Sequence, residues 1–270
     1  GWGFPTGLSL NNVAAHWTPN PGDRTILQAS DIVKVDFGLH LDGNIIDCAF
    51  SLSFDPVHDV LMAAVKEATN AAIKEAGVDV RLRDIGKVVN EVMSSYEVEG
   101  ESKGRCEAIM PIFNLCGHSM MPYQIHAGKT VPQYDNMDGT KMQEGEVFAI
   151  ETFGVTGGKG AQCYAGPDCS HYMRRPTASV FAPPNCVLSQ GARRLLQHID
   201  TRYSTLAFCR RWLDADGQDN YSALSELVGA GVVDAYPPLL VSPGLYSAQF
   251  EHTLVVHSNR TEVVSRATDF

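Results

Sequence analysis

The stretch that most constrains the fold is residues 31–54, DIVKVDFGLHLDGNIIDCAFSLSF. Val33, Val35 and Phe37 alternate with Lys34, Asp36 and Gly38, the period of a strand with two unlike faces. Asp42-Gly43 then supplies two residues that tolerate the positive φ of a two-residue type I′ turn, and Ile45, Ile46, Ala49 and Phe50 return. With that loop, Leu41 pairs with Asn44, Gly38 with Asp47 and Asp36 with Ala49. Asp36 and Asp47 then share a face as diagonal neighbours, about 7–8 Å apart between Cα atoms.

Two carboxylates that close on an apolar hairpin repel each other and lose hydration. A lone strand Asp more often belongs to a turn or faces water. Two on one face, flanked by Val, Phe, Ile and Cys, favour a bound cation. The argument depends on register, because a slip of one residue moves the two acids to opposite faces.

The chain has 270 residues, enough for one large domain or two small ones, and its 44% hydrophobic content permits a sizeable core. Its net charge is −10, with no basic stripe and no block of like charge. That argues against non-specific nucleic-acid or membrane-surface binding, and bound cations would offset part of the acidic excess. The seven cysteines are odd in number and form no CxxC, which fits a reducing compartment. No run reaches the roughly 18–20 apolar residues of a membrane span, and no signal peptide is visible, so a cytoplasmic location is expected. The first residue is Gly rather than Met, as in a processed or truncated product.

Along the chain, residues 1–29 read as loops with short strands. Residues 59–76 read as a helix with a stripe of Leu61, Ala64, Val65, Ala68, Ala72, Ile73 and Ala76, stopped by Gly77. A second helix is expected over 81–95, with Ile85, Val88, Val89 and Val92 inward and Asp79 as its cap. Residues 97–113 read as a strand and a turn around Gly100–Gly104, 114–132 as loop, 146–153 as strand and 154–187 as mostly loop. Three short helices are expected near 188–199, 204–213 and 220–229, a Pro-Gly turn closes 232–245, and 247–257 reads as a strand. The segment Asp31–Asp36 is echoed by Glu146–Glu151, an acid, four mostly apolar residues and an acid. The echo suggests two related halves that donate acids from strands, with helices outside, in an α/β or α+β fold. Coincidence is the alternative, because short acid-flanked strands are common.

Strand acids and loop histidines make the unusual set: Asp36, Asp47, His118, Glu151 and Glu251. Each alone has an ordinary explanation as a solvent-facing acid or a satisfied histidine. Together they are oxygen-rich with one imidazole, which suits two divalent ions of the Mn, Co, Fe or Zn type better than a Cys-rich structural site. Two such ions activate water and polarise a carbonyl, so the reaction class is hydrolysis.

The words FPTGLSLNN, AAHWTPN, VDFGLHLDGNIIDCAF, IHAGKTVP, EGEVFAIETFG, CSHYM, TLAFCRRWLD and AQFEHT run through nearly the whole chain. In them it resembles the type 2 methionine aminopeptidases of the pita-bread fold. The resemblance implies an α+β fold, a pseudo-two-fold antiparallel sheet with outer helices. It also implies one catalytic domain over 1–270 with a helical insertion at about 172–235. It assigns Asp36 to one ion, His118 and Glu151 to the other, and Asp47 and Glu251 to both. The substrate α-amine would sit at the Asp36 ion, with Glu151 as proton shuttle. His16 and His126 match two non-ligand histidines at the scissile peptide, and His16 matches the residue alkylated by fumagillin-type inhibitors. Phe4, Leu115, Ile125, His171, Ala207 and Tyr236 match the methionine side-chain pocket, where Phe4, His171 and Tyr236 also have ordinary structural readings.

The implied activity is removal of the initiator methionine from nascent chains with a small second residue. The expected state is a cytoplasmic monomer, with the ribosome as a candidate partner and no membrane or specific nucleic acid. Two departures stand out. The family pattern NGHSIGxYxIH is changed here at Cys116, Met121 and Pro122, which alters the expected pocket rim near His118. The helices and strand that precede FPTG in the family are not present in the sequence, so exposed packing surfaces are expected. The competing readings are a non-catalytic pita-bread binding protein acting in growth control or on RNA, and an inactive truncated fragment.

Overall fold

The computed structural model describes residues 1–99, 106–157, 162–175 and 188–267. Two strands, β1 (Trp2–Leu10) and β2 (Val13–Ala15), open the chain where loops with short strands were expected; β2 is short, but β1 runs for nine residues. The strand period is hidden in β1 because its buried positions are Gly3, Pro5, Gly7 and Ser9, small residues pressed against the next strand. The hairpin β3 (Ile32–Leu41) and β4 (Asn44–Ser53) forms in the expected register, with Leu41 opposite Asn44, Gly38 opposite Asp47 and Asp36 opposite Ala49. Asp42 and Gly43 take φ of 49° and 86°, as the turn requires.

Helices α1 (Asp59–Glu75) and α2 (Leu82–Met93) follow. The expected stripe of α1 is buried. Its end differs from expectation: Ala76 turns extended while its N–H still donates to Ala72 O at 3.0 Å, and the positive φ falls on Asp79 rather than Gly77. Arg81, not Asp79, occupies the N-cap of α2, and its guanidinium reaches Asp84 at 2.7 Å. Val88 and Val92 are half-buried, and Leu82 and Met93 complete the inner face.

Strands β5 (Glu97–Glu99) and β6 (Cys106–Ala108) pair, and the turn expected around Gly100–Gly104 lies outside the described residues. Next come β7 (Met110–Pro111), β8 (Gly117–Met120), β9 (Thr130–Val131) and β10 (Val147–Val155). Strand β8 lies in the stretch expected to be loop; all four of its residues are buried, so it carries no alternation to read. Short strands β11 (Tyr164–Ala165) and β12 (His171–Arg174) then precede α3 (Gln190–Arg202). The middle of the three expected helices is divided into β13 (Ala207–Cys209) and α4 (Arg210–Ala215), followed by α5 (Tyr221–Gly229). Strands β14 (Val233–Tyr236), β15 (Leu239–Leu240), β16 (Ser247–Val256) and β17 (Thr261–Val263) complete the chain.

The main sheet runs β1-β3-β4-β16-β10-β8-β9, with β17 beside β16 and β7 beside β10. Its centre is the β4–β16 seam, flanked on one side by β3 and β1 and on the other by β10 and β8. The two echoed segments therefore occupy equivalent places. Helices α1 and α2 cover the back of the second half, packing on Phe148, Ile150, Leu254 and Val256. The corresponding face of the first half is open, with Leu39 49%, Leu41 77% and Leu52 42% exposed. Helices α3 and α5 build a separate core with Phe208, Leu213 and Val233, on which the β13-β12-β14 sheet rests.

The turn between β3 and β4 sets the register of both acids. In Gly43→Ala the left-handed backbone costs about 1–2 kcal/mol, and the added carbon would also meet the Tyr123 ring. The urea midpoint should fall with the slope unchanged; a midpoint equal to the parent's would overturn the turn assignment.

Candidate metal centre

Four strands bring carboxylates into one row. Asp36 of β3 is paired with Ala49 of β4, Ala49 with Glu251 of β16, and Glu251 with Glu151 of β10. Asp47 lies two residues before Ala49 and so on the same face. His118 of β8 is paired with Ala149, two residues before Glu151. One ligating atom each from Asp47, His118 and Glu251 lie within 4.8 Å of one another, and so do one each from Asp36, Glu151 and Glu251. Glu251 belongs to both groups. His118 Nε2 is 3.7 Å from Asp47 Oδ2.

Asp36 Oδ1, Asp47 Oδ1 and both Glu251 oxygens are buried without a hydrogen-bond partner. Burial pushes Asp36 up to about 6, and an amide from Gln249 works against it. Asp47, Glu151 and Glu251 are pushed well above the usual carboxylate range, by burial first and then by the charge of neighbouring carboxylates, Asp36 among them in each case. Burial, followed by the neighbouring His126, takes His118 down to about 3, so its imidazole is neutral and available as a ligand. Oxygen-rich donors with orphaned atoms and one neutral imidazole fit divalent cations, whose charge offsets the desolvation and repulsion that the acids bear.

Asp36, Asp47, Glu151 and His118 line a cavity of about 220 Å³. Every residue expected to contact substrate lines it: Phe4, His16, Leu115, Ile125, His126, His171, Ala207 and Tyr236. Pairing of β12 with β13 and β14 sets His171 beside Cys209 and Tyr236. His16 packs edge-on to Tyr236 at 5.6 Å and lies 6.3 Å from the His171 ring; His126 packs edge-on to His118 at 4.5 Å. His16 has φ of 63°, a left-handed conformation rare outside glycine and costing about 1–3 kcal/mol where neighbours enforce it. Ser170 supplies part of that enforcement: its buried hydroxyl accepts from Thr18 N at 3.2 Å and lies 3.4 Å from His16 O and 2.9 Å from His171 Nδ1. Burial and the nearby His171 and His126 lower His16 to about 3, and burial lowers His171 to about 4.

Three residues at the site lie inside the quoted words CSHYM and AQFEHT but were assigned no role: Ser170, Gln249 and Thr253. Gln249 Nε2 donates to Asp36 Oδ2 at 3.2 Å and to Glu151 Oε1 at 2.9 Å. Thr253 Oγ1 accepts from Asp47 N at 2.7 Å and donates to Asp47 O at 2.8 Å. The strand period was the available signal, since Gln249, Glu251 and Thr253 alternate along one face of β16. Of the three departures near His118, Cys116 faces the cavity, whereas Met121 and Pro122 lie in an exposed turn closed by Met121 and Gln124.

The profile of metallopeptidase family M24 matches residues 1–258. Methionine aminopeptidase 2 of Saccharomyces cerevisiae is 54% identical over 271 residues, covering 100% of this chain and 62% of that protein. The Kluyveromyces lactis protein of the same name is 53% identical, with 63% of it covered. The chain thus spans less than two thirds of the length of these relatives. Among solved structures, a thermophilic Arx1 superposes with a TM-score of 0.79 at 15% identity, covering 100% of this chain and 77% of that one. Methionine aminopeptidase from Thermotoga maritima gives 0.61 at 18% identity, covering 97% and 74%. At such identities the likeness is one of fold, and the fold is the pita-bread fold, α and β with a central antiparallel sheet.

Raised carboxyl pKa values mean that protons compete with cations for this site. Below about pH 6 Asp36 holds a proton that an ion must displace, and the upward shifts of the other three acids act in the same direction. His118 is already neutral and releases none. Apparent Co(II) affinity should therefore rise between pH 5 and 7.5, with proton release seen by calorimetry in buffers of different ionisation enthalpy. Affinity independent of pH over that window would contradict the assigned shifts.

Proposed function

The chain belongs to metallopeptidase family M24, and within it we propose a dinuclear-metal aminopeptidase that removes the initiator methionine from nascent proteins and peptides with a small second residue. The observation that carries this reading is the row of buried, partly orphaned carboxylates with His118, set against an apolar and aromatic cavity. The high identity to proteins named methionine aminopeptidase 2 supports it.

Asp36 would hold one divalent ion, His118 and Glu151 the other, and Asp47 and Glu251 would serve both. Such ions supply Lewis acidity toward a peptide carbonyl and make water a nucleophile at neutral pH. Glu151 takes the proton from the attacking water and returns it to the departing amine. His16 and His126 stand at the cavity with ring nitrogens to donate toward the oxygen of the scissile peptide as charge develops there. His16, with its pKa near 3, does so as a neutral imidazole. Phe4, Leu115, Ile125, His171, Ala207 and Tyr236 surround the substrate side chain, an apolar and aromatic lining that a polarizable thioether favours.

One catalytic domain with a helical insertion at about 172–235 belongs to the same proposal, supported by the separate core of α3 and α5. So do a monomeric state, a cytoplasmic location and encounter with nascent chains at the ribosome. Among the described residues no helix is long and apolar enough to cross a membrane. The non-catalytic alternative is disfavoured because all five ligand-type residues converge.

Asp36→Ala and Glu251→Ala should each lower metal-dependent release of Met from a Met-Ala-Ser peptide by roughly 10³-fold or more. The parent chain should carry about two ions. Full turnover in both variants would sink the metal assignment, and a parent chain that binds no ions would favour the non-catalytic alternative.

A further inference from the structure

The sheet has a two-fold relation that identifies a role for Gln249. Ala49 faces Glu251 across the β4–β16 seam. Counting outward from that pair, Asp47 on β4 corresponds to Gln249 on β16, and Ser51 corresponds to Thr253. Asp36 and Glu151 correspond as well, because they pair with Ala49 and Glu251. The hydrogen bonds obey the same relation. Ser51 Oγ donates to Gln249 O at 3.0 Å and accepts from Gln249 N at 2.8 Å. Thr253 Oγ1 makes the equivalent pair of bonds to Asp47, at 2.8 and 2.7 Å. At each end of the seam a hydroxyl thus takes the place of the backbone ladder and holds the residue that faces the site.

The two held residues differ in chemistry. Where the first half presents the carboxylate of Asp47, the second presents the carboxamide of Gln249. An acid there would add a fifth carboxylate, whereas the four present balance the four positive charges of two divalent ions. The amide must turn its NH₂ toward Asp36 and Glu151, because an amide oxygen would face two acceptors. That orientation leaves Gln249 Oε1 buried without a partner. An orphaned acceptor is retained so that one nitrogen can serve two carboxylates on opposite halves of the sheet.

We infer that Gln249 and Thr253 are positioning residues of the metal centre. Gln249 ties Asp36 to Glu151 and so sets the spacing between the two ion sites, and Thr253 fixes the backbone of Asp47. Neither residue lines the cavity. The inference rests on the metallopeptidase reading. It goes beyond that reading in assigning the simultaneous occupancy of two ions to an amide and a hydroxyl that are not ligands.

The test is Co(II) titration of the full 270-residue chain, followed by calorimetry and by the visible absorption of bound Co(II), with circular dichroism as a check on folding. Gln249→Met keeps length and removes the donor. It should weaken Co(II) binding by about 10- to 100-fold and alter the visible spectrum, which reports ligand geometry. Thr253→Val should weaken binding likewise, while Thr253→Ser, which keeps the hydroxyl, should restore it. Parent-like affinity and spectrum in Gln249→Met overturn the inference for Gln249. If that variant does not fold, a Thr253→Val protein that binds like the parent overturns the positioning scheme. A parent chain that takes up no Co(II) overturns the metal reading itself and this inference with it.

Discussion

Four carboxyl groups from four strands share one buried face across the middle of the sheet, and both burial and mutual repulsion oppose their ionisation. Much of the surrounding structure serves to hold them there. Ala49, the row member without a polar side chain, keeps the backbones of β3 and β16 in register with β4. Gly117 lets β8 approach β10 so closely that a Cβ would lie 2.5 Å from Ala149 O, which brings His118 to the acids. Helices α1 and α2 seal the opposite face of the second half with Phe148, Ile150 and Leu254, so the strands that carry Glu151 and Glu251 cannot shift without opening a core.

The frame is symmetric, while the chemistry on it is not. By the two-fold relation His118 of β8 corresponds to Ser9 of β1, since His118 pairs with Ala149 and Ser9 with Lys34. One flank of the row therefore offers an imidazole ligand. On the other flank Gly7 lies against Asp36 and Phe4 against Gly38, leaving room for the cavity. A Cβ at Gly38 would collide with the Phe4 ring, so the absence of a side chain there lets an aromatic wall stand beside the acids. The same frame thus carries a ligand on one flank and a wall of the cavity on the other.

The parts of this arrangement that were legible in the sequence are those written in local periodicity. Asp42-Gly43 fixed the hairpin register, and period two placed Asp36 and Asp47 together. The acid echo located β10 as the counterpart of β3. What stayed hidden follows from residues whose burial has nothing to do with apolarity. Strand β1 buries Gly3, Pro5, Gly7 and Ser9, which read as loop. Strand β8 is buried on both faces over four residues, GHSM, too short to show a period. Strand β13 is three residues long, AFC, and runs directly into α4, so the pair reads as a single helix. The cavity residues came from resemblance, because His171, Ala207 and Tyr236 meet only through the pairing of three short strands.

The displaced pKa values give the site a common direction. Acids are pushed up and imidazoles down, so both classes move toward their neutral forms. Groups shifted toward their neutral forms tolerate an apolar side chain at the cavity wall, and cations would replace the protons that the acids hold. The acids make that exchange, since His118 has no proton to lose in the neutral range. His16, equally neutral and held in a left-handed backbone by its neighbours, adds no positive charge to compete with an ion for Asp36 or Glu151. Polar donors and metal ligands can then lie side by side in one cavity, because burial has removed the charge that would otherwise set them against each other.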